Sequence, residues 1–137
     1  MKYIVDANLL SEATKPFPAP QVLEWLRLNE AHLGVTPVIL GELEYGILLF
    51  PTSRRKKQLE VWFEKIRSTA HCIDFDSKAA SSWARLLAHL KSKGHAMPIK
   101  DSLIAASAIA HNLTVATRNT RDFINASVPL INPFETN

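Results

Sequence analysis

Residues 2–12 read KYIVDANLLSE, a strand-like run joined to a helix-like run with an acidic residue between them. The apolar residues Tyr3, Ile4 and Val5 predict a short buried strand, and Asp6 stands where that strand stops. Asp6 could simply cap a short helix over residues 7–10 by accepting backbone N–H bonds. It could equally be an acid that the strand delivers to a functional site. This segment alone leaves both roles open.

The composition predicts one ordinary globular domain over residues 1–137, with 47% apolar and 21% charged residues. No apolar run reaches the about 18 residues that span a membrane, and Asp6 interrupts the apolar start too early for a signal peptide. The single cysteine, Cys72, excludes an internal disulfide, so we expect a cytoplasmic protein with Cys72 buried in its core. The net charge of +3 permits a polyanionic partner without requiring one.

Strand-like and helix-like segments alternate along the whole chain. The predicted strands lie in YIV, HLGVT, HCIDF, LTVAT and PLIN. The predicted helices lie in ANLL, QVLEWLRLNE, VILGELEYGILLF, RRKKQLEVWFEKIR, AASSWARLLAHLKSK and KDSLIAASAIAHN, and RNTRDF is predicted as a turn. This alternation predicts an α/β fold with a mostly parallel sheet covered by helices, in which ligands lie beyond the carboxyl ends of the strands.

Four acidic residues occur where a functional site could use them. Asp6 ends the first strand, and Asp122 follows LTVAT by a few residues, so one sheet edge could carry both. Asp101 heads a helix, where the helix dipole alone is an equally good reason for an acid. Glu42 shares a helix face with apolar residues, but so does Glu44, and the helical periodicity does not choose between them.

Carboxylates that met in a half-buried cleft would need compensation. Two unit charges about 4 Å apart repel by roughly 4 kcal/mol at an effective dielectric constant near 20, so either some acids are protonated or a cation lies among them. Oxygen ligands favour Mg²⁺ or Mn²⁺. Zinc is not expected, because the five histidines show no paired ligand spacing with the single cysteine. An acidic pocket that holds Mg²⁺ suits phosphodiester cleavage.

The segments YIVDANLLSE, VILGELEYGI, MPIKDSLIAASAIAHNLTVATRNTRDF and VPLINPF together resemble the PIN-domain ribonucleases, specifically the VapC-type toxins of bacterial toxin–antitoxin pairs. The likeness runs in order from residue 2 to residue 134, and residues 97–123 are its most specific part. It implies a PIN-domain-like α/β/α sandwich with a mostly parallel central sheet flanked by helices.

The resemblance also implies a site. Its implied catalytic residues and ligands of Mg²⁺ or Mn²⁺ are Asp6, Glu42, Asp101 and Asp122. Its implied supporting residues are Asn8, Thr117 and Asn119. Ala7 departs from the pattern, because many relatives have Thr or Ser there, so one hydroxyl group is missing beside the first acid.

The activity that the resemblance implies is metal-dependent hydrolysis of RNA by in-line attack of water on the phosphorus. Positive charge must then surround the acidic pocket, and the candidate RNA-binding residues are Arg118 and Arg121 beside it and Arg54 and Arg55 further out. A solvated surface is the alternative role for the last two. A PIN-like module that only binds RNA or protein remains an alternative function. A phosphoacceptor receiver domain is disfavoured, because the late strand ends in Thr117-Arg118 rather than in lysine.

The resemblance further implies a cognate VapB-type antitoxin, whose C-terminal segment would lie in a toxin groove, and a homodimer within a larger toxin–antitoxin assembly. The apolar segments QVLEWLRL and VILGELEYGILLFP are the candidates for the groove, and AASSWARLLAHL is the candidate for the dimer interface. Trp25, Tyr45 and Phe50 are candidates for exposed contacts there, although core packing is the default explanation for each.

Overall fold

The computed structural model describes residues 1–135, which form five strands and seven α-helices. The strands are β1 (Tyr3–Val5), β2 (Leu33–Val35), β3 (His71–Cys72), β4 (Thr114–Ala116) and β5 (Leu130–Ile131). The helices are α1 (Ala7–Glu12), α2 (Pro20–Leu28), α3 (Pro37–Leu48), α4 (Arg54–Thr69), α5 (Ser77–Ser92), α6 (Ile99–His111) and α7 (Thr120–Phe123). Short 3-10 turns precede β2 and follow α7. None of the helices in this part of the chain is long and apolar enough to cross a membrane.

The sheet has the strand order β3-β2-β1-β4-β5, and every pair of neighbouring strands is parallel. Strand β1 is central, with Ile4 paired to Gly34 on one side and to Val115 on the other. All carboxyl ends therefore meet at one edge of the sheet, which we call the carboxyl edge. The predicted mostly parallel sheet is confirmed.

Both faces of the sheet are covered by helices. Ile4 and Val115 face a large apolar cluster that includes residues of α3, α4, α5 and α6. Val5 and Ala116, their neighbours in sequence, face a smaller cluster that includes residues of α1 and α2. Because alternate strand residues point to opposite faces, this division confirms the α/β/α sandwich.

Residues that favour helix ends stand at the boundaries of α3 and α5. Thr36 accepts a hydrogen bond from the N–H of Ile39 at 3.3 Å and precedes Pro37 at the first helical position. Asp76 caps α5 in the same way, through the N–H of Ala79 at 2.9 Å. Gly94 follows the end of α5 with a φ of 68°, a left-handed conformation that favours glycine.

Three local expectations were wrong. Cys72 is exposed, because β3 is a two-residue edge strand and it is Ile73, just beyond it, that enters the core. The predicted turn RNTRDF contains the short helix α7, anchored by the fully buried Phe123. Tyr45 and Phe50 were expected by default to pack in the core, but their exposed fractions are 65% and 41%.

Helix α6 gives a stability test, because it is buried on almost every side and its alanines leave no room for longer side chains. We expect Ala105→Leu, at a position with 0% exposure, to lower the free energy of unfolding by about 1–3 kcal/mol. The same change at the exposed Ala88 of α5 should alter it by less than about 0.5 kcal/mol. Urea unfolding measures both, and equal losses would contradict the assigned burial of α6.

Candidate active site

Asp6 lies directly after β1 at the carboxyl edge and is only 5% exposed. Its Oδ1 accepts a hydrogen bond from the N–H of Ala7 at 2.8 Å, so Asp6 caps α1. Its Oδ2 accepts a hydrogen bond from the hydroxyl of Thr117 at 2.7 Å, and Thr117 follows the neighbouring strand β4. Asp6 therefore follows β1 and also caps α1, and hydrogen bonds hold both of its carboxylate oxygens.

The turn after β4 supports this carboxylate. Thr117 is fully buried, and its hydroxyl oxygen also accepts a hydrogen bond from the N–H of Asn119 at 3.0 Å. The N–H of Arg118 donates to Oδ1 of Asn8 at 3.4 Å, which ties the turn to α1. The three residues predicted to support the acids therefore lie in one hydrogen-bonded group, in which Asn119 takes part through its backbone.

The structure distinguishes between the two glutamates of α3. The side chain of Glu42 is 22% exposed and faces the first turn of α6, where its Oε2 lies 2.8 Å from Nζ of Lys100. The Oε1 atom of Glu42 is buried without a hydrogen-bond partner. Glu44, two residues further, is exposed. Glu42 is the glutamate that enters the site.

Asp101 completes the group from the head of α6 and is 6% exposed. Burial raises its pKa to about 6, and the nearby Lys100 ammonium opposes this rise. The carboxylates of Asp6, Asp122 and Glu42, in decreasing order of effect, each raise the pKa of Asp101 further. Acids from three other segments therefore lie near enough to Asp101 for their charges to act on it, with Asp122 exposed on α7, and we call these four residues the carboxylate cluster.

The four carboxylates of the cluster do not converge on one point. Within residues 1–135, no group of three histidine, cysteine, aspartate or glutamate side chains is arranged so that it could hold a metal ion. The reason is visible in their partners, because Asp6 is held by backbone and hydroxyl donors and Glu42 by Lys100. The donor chemistry nevertheless fits a hard divalent cation, since the candidate ligands are all carboxylate oxygens and Oε1 of Glu42 lacks any partner.

Two charged residues of this region were not predicted. Lys100 is the cation paired with Glu42; its only signal was a lysine in a first helical turn, where the dipole disfavours positive charge. Glu12 is 4% exposed, and its Oε2 accepts the N–H of Ala19 at 2.8 Å while Oε1 lies 2.9 Å from Nζ of Lys15. The hydrogen bond from Lys15 lowers the pKa of Glu12.

The arginines predicted to bind RNA differ in position. The Arg118 guanidinium lies 4.4 Å from the ring centre of Phe134, next to the turn that holds Asp6. Arg121 is exposed on α7, beside Asp122 in sequence. Arg55 donates a hydrogen bond to the carbonyl of Thr14, which joins α4 to the end of α1. Arg54 is exposed at the start of α4.

A groove of about 360 Å³ opens between α1, α3 and α4 and leads to the carboxylate cluster. Its lining includes Asn8, Lys15, Glu42, Gly46, Phe50 and Trp62. Segment VILGELEYGILLFP therefore contributes to this groove, as predicted, whereas none of the residues lining it comes from QVLEWLRL. Trp25, in the latter segment, is half-buried and packs edge-to-face on Tyr3 with a centroid distance of 5.0 Å.

Comparisons with a protein-family model, with related sequences and with solved structures agree with one another. The family model described as PIN domain matches residues 3–128. The VapC ribonuclease Y4jK of Sinorhizobium fredii is 33% identical over 136 residues, covering 96% of this chain and 97% of that protein. Toxin FitB of Neisseria gonorrhoeae is 31% identical over 137 residues, covering 96% and 97%. The crystal structure of VapBC2 from Rickettsia felis, bound to a DNA fragment from the promoter, contains a chain with a TM-score of 0.82 and 27% identity, covering 96% and 98%.

Asp101 gives a pH test in the metal-free protein. Its pKa is raised from an ordinary value near 3.8 to about 6, so between these values the folded chain keeps a proton that the unfolded chain has lost. Wild-type stability is therefore lost as pH rises through this window. We expect Asp101→Asn to be more stable than wild type at pH 7 by on the order of 2 kcal/mol, a gain that shrinks towards pH 4. Urea unfolding in EDTA measures it, and a constant difference across the range would contradict the assignment.

Proposed function

Because the chain belongs to the PIN-domain family, we propose that it is a metal-dependent endoribonuclease and the toxin of a toxin–antitoxin pair. The family predicted from the sequence motifs is confirmed, and curated relatives carry the names ribonuclease and toxin. The observation that supports the proposal is that three acids from distant segments, Asp6, Glu42 and Asp122, lie near enough to the buried Asp101 for their charges to act on it. We take residues 1–137 as one catalytic domain that acts on RNA in the cytoplasm.

In this proposal Asp6, Glu42 and Asp101 hold Mg²⁺ or Mn²⁺, and Asp122 assists from α7. When bound, such an ion lowers the pKa of a water ligand and stabilises negative charge on the phosphate. The carboxylate of Asp6 is already held in one orientation, because the N–H of Ala7 and the Thr117 hydroxyl donate hydrogen bonds to its two oxygens.

Positive charge beside the carboxylate cluster would bind the RNA backbone. Arg118 is the strongest candidate, since stacking on Phe134 restricts its side chain while its guanidinium edge can still bind phosphate. Arg121 lies on the adjoining helix. Arg54 and Arg55 would extend this surface along α4, although Arg55 uses one donor on Thr14. Binding through such residues would weaken as salt concentration rises.

The two glutamates of α3 form a matched pair for testing the metal site. Removing a group that only orients a metal ligand typically costs about 10- to 100-fold in activity, and a direct ligand should cost at least as much. We therefore expect Glu42→Gln to reduce Mn²⁺-dependent RNA cleavage by roughly 100-fold or more. Glu44→Gln, the same change at an exposed position of the same helix, should leave cleavage within about 2-fold of wild type.

Asp6→Asn should lose activity like Glu42→Gln, and EDTA should abolish cleavage by wild type. Gel assays on total RNA, with circular dichroism as the folding control, measure these changes. Cleavage that persists in EDTA, or that is equal in wild type and Asp6→Asn, would reject the metal-dependent mechanism. Equal losses in the two glutamate variants would reject the role given to Glu42.

The groove between α1, α3 and α4 is the site we propose for the antitoxin. It combines apolar walls with direct access to the carboxylate cluster, so an extended segment with apolar residues and one basic residue would match it. The structural relative from Rickettsia felis is a VapBC2 assembly, which supports a partner of this kind. The exposed Tyr45 and Leu48 of α3, and Leu49 directly after it, extend the apolar surface beyond the groove. We propose further that α5 contributes to a homodimer within the larger assembly.

Two glycines of α3 test the groove. Gly46 lines it, Gly41 does not, and a Cβ atom at either position would meet no atom within 4 Å in the isolated chain. We expect Gly46→Leu to fill the groove and reduce capture of the antitoxin at least about 10-fold, whereas Gly41→Leu should bind as wild type does. Co-expression with the cognate antitoxin, followed by affinity purification, measures this. Equal capture of both variants would place the antitoxin elsewhere.

A further inference from the structure

We propose that Lys100 is the resident counter-ion of the carboxylate cluster, and that a divalent cation binds there by displacing the Lys100 ammonium group from Glu42. The inference rests on the proposed metal site and adds a residue that competes for it. It assigns Lys100 neither to catalysis nor to RNA binding.

The first support is the contact itself. Nζ of Lys100 lies 2.8 Å from Oε2 of Glu42, and Oε1 of the same carboxylate is buried without a hydrogen-bond partner. The ammonium thus holds one oxygen of this carboxylate, while the other oxygen is buried and has no partner. The ammonium also lowers the pKa of Asp101, so its charge reaches beyond its direct partner.

The second support is the position of Lys100 on α6. It lies in the first turn, where the positive end of the helix dipole disfavours a cation. Helix geometry alone therefore does not account for the ion pair, whereas the three carboxylates whose charges act on Lys100, those of Glu42, Asp101 and Asp6, do. One ammonium group does not balance these three carboxylates, so the site can still attract a divalent ion.

The third support is the freedom of the two side chains. The Lys100 side chain is 51% exposed and Glu42 is 22% exposed, so the ammonium can swing into solvent while the carboxylate stays in place. A divalent cation that replaces the ammonium beside Oε2 of Glu42 interacts with the same carboxylate oxygen through a higher charge. The ion pair therefore sets a threshold that metal binding must exceed, and it stabilises the folded chain when metal is scarce.

The test compares Mn²⁺ binding to three metal-free full-length proteins by isothermal titration calorimetry. Lys100→Met removes the ammonium and keeps the length of the side chain. Lys65→Met makes the same change at an exposed position near the end of α4, which leads into the amino end of β3, away from the carboxyl edge. Lys100→Gln serves as a second variant if Lys100→Met folds poorly by circular dichroism.

We expect Lys100→Met to bind Mn²⁺ about 5-fold more tightly than wild type, because the metal no longer has to break one partly exposed ion pair. Lys65→Met should bind Mn²⁺ as wild type does. Without metal, Lys100→Met should melt at a lower temperature than wild type, and Mn²⁺ should raise its melting temperature by more. Unchanged or weaker Mn²⁺ binding in both Lys100 variants would overturn the proposal.

Two further outcomes separate this inference from the proposed function. If wild type binds Mn²⁺ and cleaves RNA, but the Lys100 variants differ only in weaker binding of single-stranded RNA in EDTA, then Lys100 is an RNA ligand and the inference fails alone. If wild type and all variants bind no Mn²⁺, the proposed metal site fails and the inference fails with it.

Discussion

Mutual repulsion among the acids at the carboxyl edge is the constraint on which the rest of this structure depends. Four carboxylates share a region where one of them, Asp101, is buried strongly enough to raise its pKa to about 6. Such a group is stable only if the fold holds each member in place and supplies compensating charge. The arrangement of strands and helices provides the first condition, and the cation beside Glu42 provides part of the second.

The scaffold brings distant residues together through strand order and helix burial. Strand β1 lies between β2 and β4, so Asp6 at its end faces the turn after β4 and receives the Thr117 hydroxyl. Helix α6 runs back towards β4, and its head is fixed where the indole N–H of Trp83 donates to the Ser102 hydroxyl at 3.0 Å. Its small residues allow close packing on every side, which places Asp101 in the protein rather than on its surface.

The sequence was sufficient for most of the fold, because its signals were local. Strand-like and helix-like runs of apolar residues located the elements, and their alternating order predicted the parallel sheet that is observed. Cys72 was misplaced because an edge strand of two residues buries neither side chain, which composition cannot reveal. The choice of Glu42 over Glu44 also depended on how α3 is rotated against its neighbours, a tertiary property that helical periodicity left open. Lys100 was missed because its partner lies on another helix, far away in the sequence.

Charge balance links the metal site, the resident lysine and the proposed partner. A divalent ion, the Lys100 ammonium and a basic side chain from an antitoxin would all be attracted to the same carboxylates. Because the groove of about 360 Å³ has Glu42 in its wall, a peptide in that groove can reach the oxygens that a metal would use. Binding of one cation then lowers the affinity for the others, and this coupling is reciprocal. An inhibitor of such a toxin therefore need not block RNA access; it is enough that its positive charge occupies the site more favourably than the metal does.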